Sequence, residues 1–279
     1  MTTLQNKIDF AIVFAVKHAN PNGDPLNGNR PRTDYGGFGE MTDVCIKRKV
    51  RDRLLEAGHA IFVQSDDRKK DGETSLKNRA ESEENGLGKA AFGAKASKDE
   101  TAKKACHKWF DVRTFGQVFA FGKTNDASGV SIPIRGPVTI QSAFSVEPVS
   151  VTSTQITKSV SGEGDGSKRG PDTMGMKHRV DQGIYVCFGS MNPQLAERTG
   201  FSDADAEVLK AILPRLFEND ASSARPEGSM AVKKVVWWQH GSKAGKCSSA
   251  KVHGSLTVDE EGNISLADCG VAPEVIEGF

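Results

Sequence analysis

IDFAIVFAVK, residues 8–17, is apolar at nearly every position and rich in β-branched and aromatic residues. That pattern predicts a short strand buried on both faces. The two segments after it decide the architecture. NPNGDPLNGNRPRTD, residues 20–34, reads as loop, because Pro21, Pro25, Pro31 and the glycines around them forbid regular structure. MTDVCIKRKVRDRL, residues 41–54, then opens a helix. Thr42 or Asp43 caps it, Gly58 ends it, and Ile46, Val50, Leu54 and Ala57 form an apolar stripe. The stripe leaves much of a basic set, Lys47, Arg48, Lys49, Arg51 and Arg53, facing away from the core against one acid, Asp52.

Residues 59–63 read as a weak strand. Residues 65–105 are dominated by Lys, Asp, Glu, Ser and Gly, which predicts an exposed, partly helical insertion. CHKWFDVRTFGQVFAF, residues 106–121, restores aromatics and should anchor that insertion. IPIRGPVTIQSAFSVEPVSV, residues 132–151, alternates like strands kinked by prolines. Residues 156–179, ITKSVSGEGDGSKRGPDTMGMKHR, read as a long basic hairpin with an irregular tip. GIYVCFGSMNP (183–193) and VKKVVWWQHG (232–241) are core strands. Ser202 caps a helix that reaches about residue 217 with Pro214 near its end, and 256–268 is a hairpin with a Glu-Gly-Asn turn. Without the insertions the order is strand, helix, strands, strand, helix, strand. The expected class is α+β, with a split βαβ sheet of the ferredoxin-like or RNA-recognition-motif kind.

Composition narrows the function. A chain of 279 residues suits one large domain with insertions. The formal net charge of +1 excludes polyanion binding by the whole surface, so any such binding uses segregated patches. No apolar run approaches the roughly 18 to 20 residues of a membrane span. The N-terminal MTTLQNKIDF does not read as a signal peptide. Five widely spaced cysteines without CxxC spacing point to a reduced cytoplasmic protein without structural zinc, and no cofactor is expected.

Several enzymatic motifs fail on spacing. GQVFAFGKT, residues 116–124, places five residues between its glycines where a phosphate loop needs four. GEGDGSKRG, 162–170, does not open a helix as a dinucleotide fingerprint must. The six histidines show no metal-ligand period. What remains is cationic. Arg30 and Arg32 either meet phosphate oxygens with their planar forks or pair with Asp24 and Asp34 to tie the loop. The helix cations Lys47, Arg48 and Arg51 either meet nucleic acid or form a solvated face. The hairpin carries Lys158, Lys168, Arg169, Lys177 and Arg179 beside Met174 and Met176, and reads as a nucleic-acid clamp or as a plain surface loop.

Taken together, NPNGDPLNGNRPRTD, TDVCIKRKVRD, SIPIRGPVTIQSAFSVEPV and the basic hairpin before GIYVCFGSMN resemble the backbone subunit of CRISPR Cascade complexes, in its type I-C form. The resemblance implies a right hand: an RNA-recognition-motif palm, a helical finger insertion at 65–121 and a hairpin thumb at 152–181. It implies that several copies polymerise along a CRISPR guide RNA and kink it at intervals for pairing with target DNA. On it, Arg30, Arg32, Lys47, Arg48 and Arg51 contact the RNA backbone. Lys158, Lys168, Arg169, Lys177 and Arg179 touch RNA or the displaced strand, and Met174 and Met176 wedge at the kink. The implied partners are further copies of the chain, a processing-endonuclease cap subunit, and large and small subunits. Two alternatives stand beside this: a metal-dependent RNase using Asp24 or Asp34, and a generic single-stranded RNA binder.

Overall fold

The run at residues 8–17 is a strand because its β-branched and aromatic side chains alternate onto two faces and both are covered. The computed structural model describes residues 2–93, 95–121, 130–160 and 174–279. In chain order its strands are β1 (Ile8–Ala19), β2 (Gly23–Asp24), β3 (Arg30–Pro31), β4 (Phe38–Met41), β5 (Gly116–Phe121), β6 (Val130–Arg135) and β7 (Val138–Ile140). They continue with β8 (Ala143–Pro148), β9 (Val151–Thr157), β10 (Met174–Met191), β11 (Met230–Gln239), β12 (Leu256–Val258), β13 (Ile264–Leu266) and β14 (Pro273–Glu277). The helices are α1 (Asp43–Glu56), α2 (Leu76–Glu81), α3 (Lys98–Lys108), α4 (Phe110–Phe115), α5 (Pro193–Thr199), α6 (Asp203–Ile212) and α7 (Ser249–His253).

The main sheet runs β14-β11-β1-β10-β8-β4, with β7 and β9 also paired to β10. Every pairing in it is antiparallel. One face carries Phe10, Ile12, Phe14 and Val16 of β1 against Ile46, Val50 and Leu54 of α1 and Ala206 and Leu209 of α6. The other face carries Ala11, Val236 and Trp238 against Val252 of α7, Leu256 and Val271. Residues 240–271 therefore close a sheet face that a bare RNA-recognition motif would leave open. Local signals position the helices. The Thr42 side chain accepts from Cys45 N at the start of α1, and Ser202 and Asp205 complete a capping box on α6.

The described part of 65–105 is mostly exposed and partly helical, yet a few of its residues enter a core. Phe92, Ala105 and Cys106 join Phe62, Trp109, Phe119 and Ile132 in a second core. Ring pairs such as Phe62–Trp109, with centroids 4.8 Å apart, knit it together. Residues 59–63 are not a strand. The N–H groups of Phe62 and Val63 donate to the Asp111 carboxylate at 2.7 and 3.0 Å instead of to a neighbouring strand. Asp111 also accepts from Arg51 Nε of α1 at 2.9 Å and is itself buried. One carboxylate thus bolts this second core to the helix behind the sheet.

Asp111→Ala strands the half-buried Arg51 and leaves two inward amides unpaired. It is expected to lower stability by about 3–5 kcal/mol, read by urea denaturation with Trp fluorescence. A loss below about 1 kcal/mol would show that other contacts hold the second core in place.

Candidate nucleic-acid interface

The loop from Asn20 to Thr42 is held by its own polar side chains. Asn20 Nδ2 donates to Asn29 O at 2.7 Å, and Asn22 Oδ1 accepts from Thr42 N and Oγ1 at 3.0 and 2.9 Å. Gly23 lets the Asn29 side chain pack close, since a Cβ there would stand 2.0 Å from Asn29 Oδ1 and push that side chain aside. Asp24 Oδ1 accepts from Leu26 N at 3.2 Å and pairs with Arg32 at 3.3 Å. Asp34 Oδ1 accepts from the N–H groups of Gly36 and Phe38 at 2.8 and 2.9 Å. Both aspartates are thereby engaged in turn formation. Leu26 and Tyr35 stand fully exposed on the same loop.

Arg30 reaches out of the loop. Its Nη1 donates to Ser153 Oγ of β9 at 2.9 Å, and that hydroxyl also meets His178 Nδ1 of β10 at 2.8 Å. Three segments far apart in sequence meet at one hydroxyl. A cavity of about 240 Å³ lies at this junction, lined by Asn29, Ile156, Met176 and His178 among others.

The β9–β10 hairpin pairs Met174 with Thr157 through Val180 with Val151. Alternation along β10 divides its candidates. Met174, Met176 and His178 share the face that Arg30 joins, and both methionines are exposed. Lys177 and Arg179 point the other way, and Arg179 lies 3.6 Å from Asp181. Lys158 follows β9. Lys168 and Arg169 lie outside the described residues.

On α1 the expected outward basic face is corrected. Lys49 is 4% exposed and pairs with Asp220, and Arg53 is 8% exposed and pairs with Glu56. Burial pushes the Lys49 ammonium below the usual lysine range, with Asp220 acting against that. Lys47 pairs with Asp43 at 2.9 Å and sits over the Phe115 ring, and Arg51 holds Asp111. Arg48, 46% exposed, pairs with Asp67 at 3.1 Å. Acids from three places take up the cations: Asp111 and Asp67 from the segment after α1, Asp220 from the segment after α6, and Asp43 and Glu56 from the helix itself. Ala57, expected in the apolar stripe, is exposed at the helix end. Ser153 and His178 were not legible as partners of Arg30; only the strand register brings them together.

The sequence profile of the family described as CRISPR-associated protein Cas7 matches residues 6–271. The chain belongs to the Cas7 family. A CRISPR-associated protein Cas7 of Haloferax volcanii is 30% identical over 241 residues, covering 80% of this chain and 67% of the relative. Among solved structures, a chain of a CRISPR RNA-guided surveillance complex, pre-nicking, aligns over 83% of this chain and 77% of its own, at 16% identity and a TM-score of 0.49. A chain of a type III-B Cmr-beta complex bound to cognate target RNA aligns over 82% and 60%, at 9% identity and a TM-score of 0.44. Membership rests on the sequence match. Cas7 proteins are the backbone subunits of CRISPR RNA-guided complexes. In this Cas7 chain the cationic loop and the hairpin form one connected rim. Among the described residues no cluster of three or more His, Cys, Asp or Glu is placed to hold a metal ion.

Arg30→Ala removes the link between loop and hairpin. It is expected to cost about 1 kcal/mol locally, so amide exchange in residues 20–34 and in β9 should speed up roughly fivefold while β1 and β11 are unaffected. Unchanged exchange there would mean that the loop is held without Arg30.

Proposed function

We propose that this chain is the repeated, guide-RNA-binding backbone subunit of a type I-C Cascade complex. The palm is then the β11-β1-β10-β8 portion of the sheet, with α1 and α6 on one face, in ferredoxin-like or RNA-recognition-motif order. Residues 65–121 form the finger and 152–181 the thumb. The observation that carries this reading is the joint at Arg30. In a chain of this family, it couples the cationic loop to the thumb root and sets both along one strip.

On that strip Arg30 and Arg32 hold RNA phosphates, and Arg48 is the best exposed of the α1 candidates. Lys47 and Arg51 adjoin it and also brace the finger. Met174 and Met176 wedge between nucleotides at the kink, on the face that Arg30 joins. Lys158, Lys177 and Arg179, with Lys168 and Arg169 of the tip, serve RNA or the displaced strand. Copies polymerise along the guide and present it for pairing with target DNA, alongside a processing-endonuclease cap subunit and large and small subunits. The work is cytoplasmic, and no helix among the described residues is long and apolar enough to cross a membrane.

The subunit is a scaffold, not an enzyme. A loop-aspartate RNase is disfavoured because Asp24 faces Arg32 and Asp34 accepts two turn amides. A generic single-site binder would bind RNA with affinity independent of length beyond one footprint.

Purified protein is expected to carry RNA, with complex masses stepping by one subunit and collapsing on RNase treatment. It should leave a labelled single-stranded RNA intact in the presence of Mg²⁺. Cleavage that disappears in Asp34→Ala would replace the scaffold with an RNase. Length-independent affinity with one copy per RNA would replace it with a single-site binder.

A further inference from the structure

At the end of β10 away from the hairpin, a concavity of about 540 Å³ is lined by Lys7, Arg135 and Lys243 together with Ser190, Asn192 and Ser249. Its lining contains no Asp or Glu. Ser190 stands twelve residues along β10 from His178, where Arg30 joins the hairpin, a span of ~40 Å. The concavity is therefore separate from the rim formed by the loop and the hairpin.

Its cations are only partly engaged. Arg135, at the end of β6, is exposed, and its guanidinium has no hydrogen-bond or ion-pair partner among the described residues. Lys243 pairs with Glu197 at 2.6 Å, but both side chains are about half exposed, so solvent weakens the pair and an incoming anion can displace it. Lys7 Nζ donates to Cys247 O at 3.2 Å and lies 3.4 Å from the buried Asp9, whose charge is shared with His240 Nε2 at 2.8 Å. That leaves Lys7 a third N–H. Asn192 uses its Oδ1 to accept from Leu195 N at the start of α5, which keeps its Nδ2 as a donor.

A wall of donors and positive charge without an acid suits an oxyanion. A phosphate monoester carries about −1.5 to −2, less than the charge these cations can meet. We propose that the concavity binds a small polyphosphate, a diphosphate or triphosphate, either inorganic or carried on a nucleoside. The Arg135 fork holds phosphoryl oxygens in pairs, Lys7 and Lys243 neutralise them, and Asn192 and Ser249 donate. A nucleic-acid strand offers the same phosphates, but one held on the rim runs ~40 Å away. The walls belong to three parts of the molecule: β6 to the second core, β10 to the main sheet, and Lys243 and Ser249 to the segment covering the sheet's second face. A ligand here braces the three against one another.

The test is isothermal titration of RNase-treated protein with pyrophosphate, with ADP and with a short single-stranded RNA, at physiological salt and without divalent cations. Pyrophosphate or ADP should bind once per chain, and Arg135→Ala should weaken that binding about tenfold. Lys103→Ala/Lys104→Ala removes two exposed cations of α3 and should leave it unchanged. Hydrogen exchange in β6 and in residues 241–249 should slow when the ligand is added to wild type. ADP binding more tightly than pyrophosphate assigns the site to a nucleotide, and equal affinity assigns it to the phosphates alone.

No saturable binding of either small probe would overturn the site. So would an equal loss in Arg135→Ala and in the α3 variant, which would reduce it to general attraction. RNA binding that Arg135→Ala abolishes, with neither small probe bound, would overturn it in favour of a strand path. If Arg135→Ala melts earlier than wild type without ligand, Lys243→Ala is read in its place: weaker binding supports the site and unchanged binding refutes it.

Discussion

Burial of β1 on both faces is the constraint on which the molecule depends. The strand hydrogen-bonds to β10 on one side and β11 on the other. Its even-numbered side chains enter the core under α1 and α6, and its odd ones face residues 240–271. Closing both faces stabilises the sheet, since each buried large side chain contributes about 1.5–3 kcal/mol. It also removes the flat surface on which a bare RNA-recognition sheet stacks bases. On the proposed function, contact with RNA then falls to what leaves the ends of the strands, namely the loop after β1 and the β9–β10 hairpin.

The same economy governs charge. The densest basic window, residues 47–53, is largely used inside the chain. Lys49 meets Asp220, Arg51 meets Asp111 and Lys47 meets Asp43. The pairs with Asp111 and Asp220 join α1 to the second core and to the segment after α6, so the helix acts as a joint more than as an electrostatic plate. With 37 Lys and Arg against 36 Asp and Glu, acids are at hand for most of the cations. Exposed cations lie elsewhere on the described surface, at Lys89, Lys103, Lys104, Arg135, Lys233 and Lys251 among others, and Arg48 is the exposed cation of the α1 window.

Much of this was legible in the sequence where the signal is local. β1 announced itself by a run apolar at nearly every position, and Thr42 and Ser202 marked helix starts by side-chain chemistry alone. The second core was legible only in part. Trp109 and Phe119 lie in the aromatic run at 106–121, but Phe62 and Phe92 stand far from it in sequence, and no short window shows that they converge. β14 was missed because PEVIE is mostly exposed and owes its strand state to backbone pairing with β11. Within the site, Arg30 and the two methionines were visible by residue type. Ser153 and His178 were not, since a hydroxyl in a strand has no signature until register sets it opposite a histidine. The division of the hairpin into a Met face and a Lys177/Arg179 face comes from a period of two and needed only the strand to be assumed.

β10 runs unbroken for 18 residues, pairing with β9 from Met174 to Val180 and with β1 from Val180 to Met191. Val180 belongs to both ladders, facing Val151 on one side and Ala19 on the other. The hairpin therefore has no swivel at its root. It is a cantilever whose beam continues into the centre of the protein, and a sideways load at Met174 becomes torque on the ladder with β1. Its stiffness is borrowed from the core, so a change in core packing alters how firmly the hairpin is held.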